Sequence, residues 1–257
     1  MGKLTGKRVL ITAGAQGIGA AISRHLLEAG CAVFIHYRSS AEAAEAIARE
    51  AAASGRRCET GGGDLTEPEE CSKLVARAVS ALGGLDILVN NAGSLVARRT
   101  LLEADDDFWG EVMSLNLGSM RRVTRSAAPH LAAAAKAGGG AGIINMSSLA
   151  GRKGGHSGSL VYSTAKGAVL TFTRSLASEL GPQGIRVNAI APGLVLGTSF
   201  HTTHTTPESA RQTIASLPLG RAGNADDIAR AVVFLAGEYD GFITGATLDI
   251  NGGAYVC

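Results

Sequence analysis

Long apolar stretches are absent from this chain. Nowhere does it reach the roughly 18 consecutive apolar residues that a membrane-spanning helix needs, and its start, Met1-Gly-Lys-Leu-Thr-Gly-Lys-Arg8, has no apolar core of the kind an export signal carries. Cysteine is scarce as well. Cys31, Cys58, Cys71 and Cys257 lack the paired spacing of a metal site and the density of a disulfide-stapled scaffold, which implies reduced thiols and a cytoplasmic location. Neither sign of charge prevails. The formal charge is +2, with 24 basic and 22 acidic residues interspersed, so neither nucleic acid nor a membrane is an expected partner. Repeats and evident linkers are missing too, and one domain spanning residues 1–257 is the simplest organisation.

What the chain has is alternation. With 46% hydrophobic residues it suits a sheet buried on both faces, and its 35 glycines suit many tight turns. Strands are expected at Val9–Thr12, Ala32–His36, Asp86–Val89, Ala141–Asn145, Arg186–Ile190 and Thr247–Ile250. Helices are expected at Ala20–Glu28, Ser40–Ser54, Glu67–Leu82, from Asp105 to about Lys136 with a kink at Pro129, and after Tyr162. This order implies an α/β fold: a doubly wound parallel sheet with right-handed crossovers, helices on both faces, and a ligand crevice beyond the carboxyl ends of the strands.

The first strand runs into Ala13-Gly14-Ala-Gln16-Gly17-Ile18-Gly19 and then a helix. A glycine turn at a helix start lets backbone N–H groups approach a pyrophosphate without obstruction by side chains. Ala13 stands beside Gly14, which is expected to supply the flexibility that the turn needs. A site for NAD would be expected to place an acid after the second strand, yet no acid lies between Glu28 and Glu42. Arg38 and Ser39 occur there instead and suit a ribose 2′-phosphate, which favours NADP(H) over NAD(H).

Tyr162 and Lys166 are four residues apart, so a helix places them on one face, and Ser148 lies upstream in Asn145-Met-Ser-Ser148. A cation about 4 Å from a phenol would lower its pKa by about three units, from about 10 to near 7. A tyrosine so tuned could exchange a proton in carbonyl reduction or alcohol oxidation. His201 and His204 lack an obvious third partner, so no metal site is expected.

Taken in order, these motifs resemble the short-chain dehydrogenase/reductase family over essentially the whole chain. Thr12 to Gly19 resembles its glycine turn, Asp64-Leu65 its adenine-contacting pair, Asn91-Ala92-Gly93 part of its post-strand turn, and Pro192-Gly193 with Val195 its nicotinamide-side turn. The resemblance implies a single-domain Rossmann-type fold with a substrate lid at about 196–216. It implies catalytic roles for Asn116, Ser148, Tyr162 and Lys166, with Tyr162 and Lys166 also touching the cofactor. Thr198 sits one position later than the family threonine, which leaves its cofactor contact open. The implied substrate is a carbonyl or secondary alcohol, either a small molecule or an acyl-carrier-linked 3-oxoacyl thioester, with sugars, polyols and other secondary alcohols as alternatives. The implied assembly is a homotetramer, supported by apolar stripes at Leu115, Met120, Val123 and Ala127 and at Val169, Phe172 and Leu176. A nucleotide-sensing protein without turnover is the alternative from another class; loss of Tyr162 or Lys166 would have favoured it, and both are present.

Overall fold

Short apolar runs ending at glycine turns become the strands of one sheet in the computed structural model, which describes residues 4–237 and 241–256. Residues 1–3, 238–240 and Cys257 and the side chains of Ser199, Phe200 and His201 lie outside the described residues, and with them the expectations placed there. The strands are β1 (Arg8–Ile11), β2 (Ala32–Tyr37), β3 (Cys58–Gly62), β4 (Ile87–Asn90), β5 (Ala141–Met146), β6 (Ile185–Pro192) and β7 (Thr247–Ile250). All pair in parallel, in the order β3-β2-β1-β4-β5-β6-β7. Chain order reverses at β1, so a crevice opens beyond the ends of β1 and β4.

Alternate strand residues face opposite layers, and both layers are apolar. Val9, Ile11, Ile87 and Val89 pack with residues of α1 (Gly17–Glu28), α2 (Ala41–Ala53) and α10 (Ala225–Gly237). Leu10, Leu88 and Ile143 pack on the other side with α3 (Pro68–Leu82), α5 (Ser119–Lys136) and α7 (Leu160–Leu180). Burial on both faces explains why these strands read as unbroken apolar runs.

Three departures from the sequence reading have physical causes. The edge strand β3 was not expected, because Cys-Glu-Thr-Gly-Gly has little strand propensity. Its glycines make room for β2: a Cβ on Gly61 would come within 2.7 Å of the Phe34 ring, and one on Gly62 within 2.9 Å of the Tyr37 ring. The helix expected from Asp105 is divided into α4 (Asp106–Met113), a π-helical segment Ser114–Gly118 and α5, which continues through Pro129. Finally, Met120, Val123, Ala127 and Val169 are buried in their own core, so these four do not form the exposed stripes on which assembly was argued.

The remaining helices are α6 (Leu149–Lys153), α8 (Ser199–His204) and α9 (Pro207–Ser216), which surround the crevice near its far end. No described helix is long and apolar enough to cross a membrane.

Candidate active site

The crevice is a cavity of about 970 Å³ that runs from Arg38, Ser39, Asp64 and Leu65 at one end to Ser148 and Tyr162 at the other. Gln16, Gly17, Ile18, Gly19, Asn91, Ala92, Gly93, Lys166, Pro192, Gly193 and Val195 also line it. Gly14 and Asn116 do not; they stand behind the wall.

Two turns form the cradle. Thr12 Oγ1 accepts from the backbone N–H of Asn91 and of Ala92, each at 2.9 Å, while Asn91 Nδ2 donates to the carbonyls of Thr12 and Ala13 at 3.2 and 3.0 Å. The turns after β1 and β4 are thus stitched together. A Cβ on Gly19 would overlap the Ala13 carbonyl, so the backbone stays bare at the helix start. The expected role of Gly14 needs correction. Ala13 itself adopts the left-handed conformation, with φ +51°, whereas Gly14 is needed for packing, since its Cβ would come within 2.9 Å of Ser23 Oγ.

His36, which the sequence reading treated only as a strand residue, anchors this turn. It is buried; its Nδ1 accepts the Ala13 N–H at 3.0 Å and its Nε2 faces the Gly63 carbonyl at 2.9 Å. A carbonyl can only accept, so these partners select the neutral tautomer with the proton on Nε2. Burial lowers the His36 pKa and favours the same form. At the Arg38 end of the cavity, Asp64 Oδ1 accepts from Thr66 N and Oγ1 at 2.9 and 2.7 Å, which holds the carboxyl below its usual range.

The four catalytic candidates converge from three elements: the start of α6, α7 and the π segment. Ser148 caps α6, and its Oγ accepts from Ala150 N–H at 3.1 Å. That bond leaves the Ser148 proton for Tyr162, to which Ser148 is hydrogen-bonded. Lys166 is 3% exposed and donates from Nζ to Met146 O at 2.8 Å. Asn116 is fully buried in the π segment, a form that often marks functional sites. Its Nδ2 donates to the carbonyls of Ser94 and Val112 at 2.7 and 2.9 Å, and its Oδ1 accepts from Ser94 N–H at 3.1 Å. A Cβ on Gly93 would come within 2.7 Å of Asn116 Oδ1 and 2.9 Å of Lys166 Nζ, so bare backbone lets all three groups meet.

The electrostatics reverse one expectation. Burial pushes the Tyr162 phenol up to about 12, with the Ser148 hydrogen bond opposing it more weakly. Burial also lowers Lys166 to about 8, so the ammonium remains mostly protonated at neutral pH. The spacing argument weighed only the attraction of a cation about 4 Å from the phenol; Nζ does lie beside the ring, 5.7 Å from its centroid, but it is bonded to a carbonyl and the site is desolvated. Desolvation therefore prevails over attraction in the protein alone.

Thr198 is buried at the cavity wall; its Oγ1 donates to Val195 O at 3.1 Å, and a Cβ on Gly17 would come within 3.4 Å of it. Among the described residues, no group of three His, Cys, Asp or Glu side chains is placed to hold a metal. The glycine cradle, the helix N-terminus without an acid in its first turn, and Arg38 at the far end fit a nicotinamide dinucleotide.

Comparison with known proteins agrees. Residues 12–255 match the family described as enoyl-(acyl carrier protein) reductase. The 3-oxoacyl-[acyl-carrier-protein] reductase of Staphylococcus aureus is 35% identical over 97% of this chain and 98% of its own. An NADH-dependent reductase responsible for alginate metabolism superposes with TM-score 0.90 at 34% identity, covering 99% of both chains. A Burkholderia cenocepacia short-chain dehydrogenase in complex with NADP superposes with TM-score 0.88 at 33% identity, covering 98% of this chain and 99% of its own. Motifs, fold and relatives lead to one conclusion: the chain belongs to the short-chain dehydrogenase/reductase family of oxidoreductases.

Proposed function

We propose that the chain is an NADP(H)-dependent oxidoreductase that interconverts a carbonyl and a secondary alcohol. The observation that carries this reading is the hydrogen-bonded Ser148–Tyr162 pair, which lines the same cavity as the glycine cradle and has the buried Lys166 ammonium beside it. The nicotinamide supplies the hydride chemistry. Tyr162 donates its proton to the developing alkoxide, and Ser148 turns its hydroxyl from Tyr162 to hold the carbonyl oxygen by hydrogen bond. With its pKa raised by burial, the phenol is protonated at neutral pH, which is the form that the acid role of carbonyl reduction starts from. Lys166 binds the nicotinamide ribose and stabilises phenolate as the proton leaves. Asn116 fixes the loop after β4 through its side chain and, from behind the cavity wall, helps to position a water that refills the proton chain.

NADP is preferred over NAD because Arg38 lines the adenosine end and no acid follows β2 there. Solved relatives use both cofactors, one being NADH-dependent and another bound to NADP. For the substrate, the carrier-protein reductase among the relatives supports a 3-oxoacyl thioester. A sugar, polyol or similar alcohol is the second reading, supported by the alginate-metabolism reductase and by the hydroxyls of Thr203, Ser209 and Thr213 along the cavity. Residues 196–216 would act as the lid of one domain.

Assembly as a homotetramer now rests on exposed apolar side chains, including Trp109, Phe234 and Phe242, and on family resemblance. Light scattering behind a sizing column checks it; a mass near 26.1 kDa at micromolar concentration would rule it out. The free thiols of Cys31, Cys58 and Cys71 accord with a cytoplasmic setting. The function is tested by following NADPH absorbance with acetoacetyl-coenzyme A and with ketoses. Turnover of either class supports the reading; NADPH binding with no turnover across both would favour the non-catalytic alternative.

A further inference from the structure

Neighbouring basic residues behave differently at the cavity mouth. Arg99 and Arg152 do not line the cavity, and each meets an acid: Arg99 bonds Asp105 at 3.4 Å and Arg152 bonds Asp249 at 2.8 Å. Arg98 and Lys153, adjacent to them in sequence, do line it, and neither pairs with an acid among the described residues. They are held by carbonyls instead. Arg98 donates to Ser157 O at 3.2 Å and His204 O at 3.0 Å, and Lys153 donates to Ala254 O at 3.4 Å.

A carbonyl positions a cation without cancelling its charge, and these bonds use one donor on each of two Arg98 nitrogens, leaving others of its five. His156 and His204 line the same region, and among the described residues the only acid lining the cavity is Asp64, at the opposite end beside Arg38. Thr203, Ser209 and Thr213 add hydroxyls. The result is a cationic, hydroxyl-bearing wall, complementary to an anion that carries hydroxyl groups.

We propose that this wall is a carboxylate-recognition subsite, and that the substrate is a small hydroxylated oxo acid. Its carboxylate is held by Arg98 and Lys153 while its carbonyl faces Ser148 and Tyr162. The proposal rests on the carbonyl-reduction reading and selects within it. A guanidinium fork matches a carboxylate or a phosphate equally well. The hydroxyl-bearing lid favours a short polar molecule over the long arm of a carrier-bound thioester.

The test has a binding arm and a kinetic arm. In calorimetry, the NADP-loaded protein binds D-gluconate at least about tenfold more tightly than D-sorbitol, a neutral polyol of the same length, as expected when a charge-assisted contact is added. Arg98→Gln and Lys153→Gln each reduce that ratio severalfold, and Arg98→Lys retains more of it than Arg98→Gln. Lys153→Gln guards against misreading Arg98, which also fastens α8 to the loop holding Ser157. Equal binding of the two ligands, or equal weakening of both by the variants, overturns the subsite.

The kinetic arm compares NADPH consumption with 5-keto-D-gluconate, its methyl ester and acetoacetyl-coenzyme A. Preference for the free acid supports the proposal. An ester turned over as well as the acid removes the subsite and leaves the reductase. Preference for the thioester assigns the wall to a phosphate-bearing carrier arm and overturns the carboxylate. No turnover of any of the three, in a protein that binds NADPH, removes the reductase reading and the subsite together.

Discussion

At the floor of the cavity Lys166 is 3% exposed, Asn116 just behind it is fully buried, and both are tied to backbone carbonyls at or after strand ends. At its mouth Arg98, Lys153 and His156 are exposed, and the hydrogen bonds of Arg98 and Lys153 go to loop and helix-end carbonyls. The floor restrains its groups, so that in the proposed reaction a proton would be offered at one fixed place; the mouth carries charge on side chains with more freedom to adjust. Preorganisation lowers a barrier, whereas an adaptable rim selects what enters. Variants at the floor should therefore change turnover most, and variants at the mouth should change which substrate is accepted.

The largest effects are expected at the floor. Lys166→Ala should lower kcat by roughly 10²-fold or more, the lower end of what a positioned acid–base group contributes, and should also weaken NADPH binding. Steady-state kinetics with a cofactor titration check this; loss of turnover with unchanged NADPH affinity would show that Lys166 does not reach the ribose. At the adenosine end NADPH should bind at least about tenfold more tightly than NADH, and Arg38→Asp should reverse that order, because the carboxylate removes the charge-assisted contact, repels a 2′-phosphate and accepts from the ribose hydroxyl of NADH. Fluorescence titration of both cofactors decides it, and equal affinities in the unmutated protein would defeat the assignment.

Smaller effects test the cradle that joins the two regions. The folded pKa of His36 is lowered from 6.5, so the unfolded chain takes up this proton first as pH falls. Stability attributable to His36 is present above about pH 6.5 and is lost as pH drops from there toward the lower folded pKa. Urea midpoints between pH 7 and 5 should decline less steeply in His36→Asn; an unchanged slope would remove His36 as the cause. Smallest of all, Ala13→Gly should relieve the left-handed alanine at φ +51°. Against the extra chain entropy of glycine, the net gain should be about 0.5 kcal/mol, or a rise in Tm of about 1 to 2 °C. A lower Tm would mean that the turn is unstrained.

Much of this was legible in the sequence because the relevant groups are local. Apolar runs such as Val9-Leu-Ile declared the central strands, and the Tyr162–Lys166 spacing declared one helix face. The edge strand β3 was not legible, since Gly61 and Gly62 belong to it through the rings of Phe34 and Tyr37 rather than through their own propensity. The π segment around Asn116 was hidden because one extra residue in a helix barely disturbs its apolar period. His36 was missed because its two ring partners, Ala13 and Gly63, come from separate turns. The direction of the Tyr162 shift was misjudged because spacing reports which charges are near and says nothing of how much water has been removed.

The central claim, that the cavity floor performs proton transfer and not merely cofactor binding, is tested most directly by Tyr162→Phe. Its kcat and its NADPH affinity should be measured on the same preparation, with a substrate that the unmutated protein turns over. Removing one hydroxyl should lower kcat by roughly 10²- to 10⁴-fold, the range for a general acid. NADPH affinity should stay within about twofold, since no charge-assisted contact is removed. Near-normal turnover by the phenylalanine variant would contradict the account.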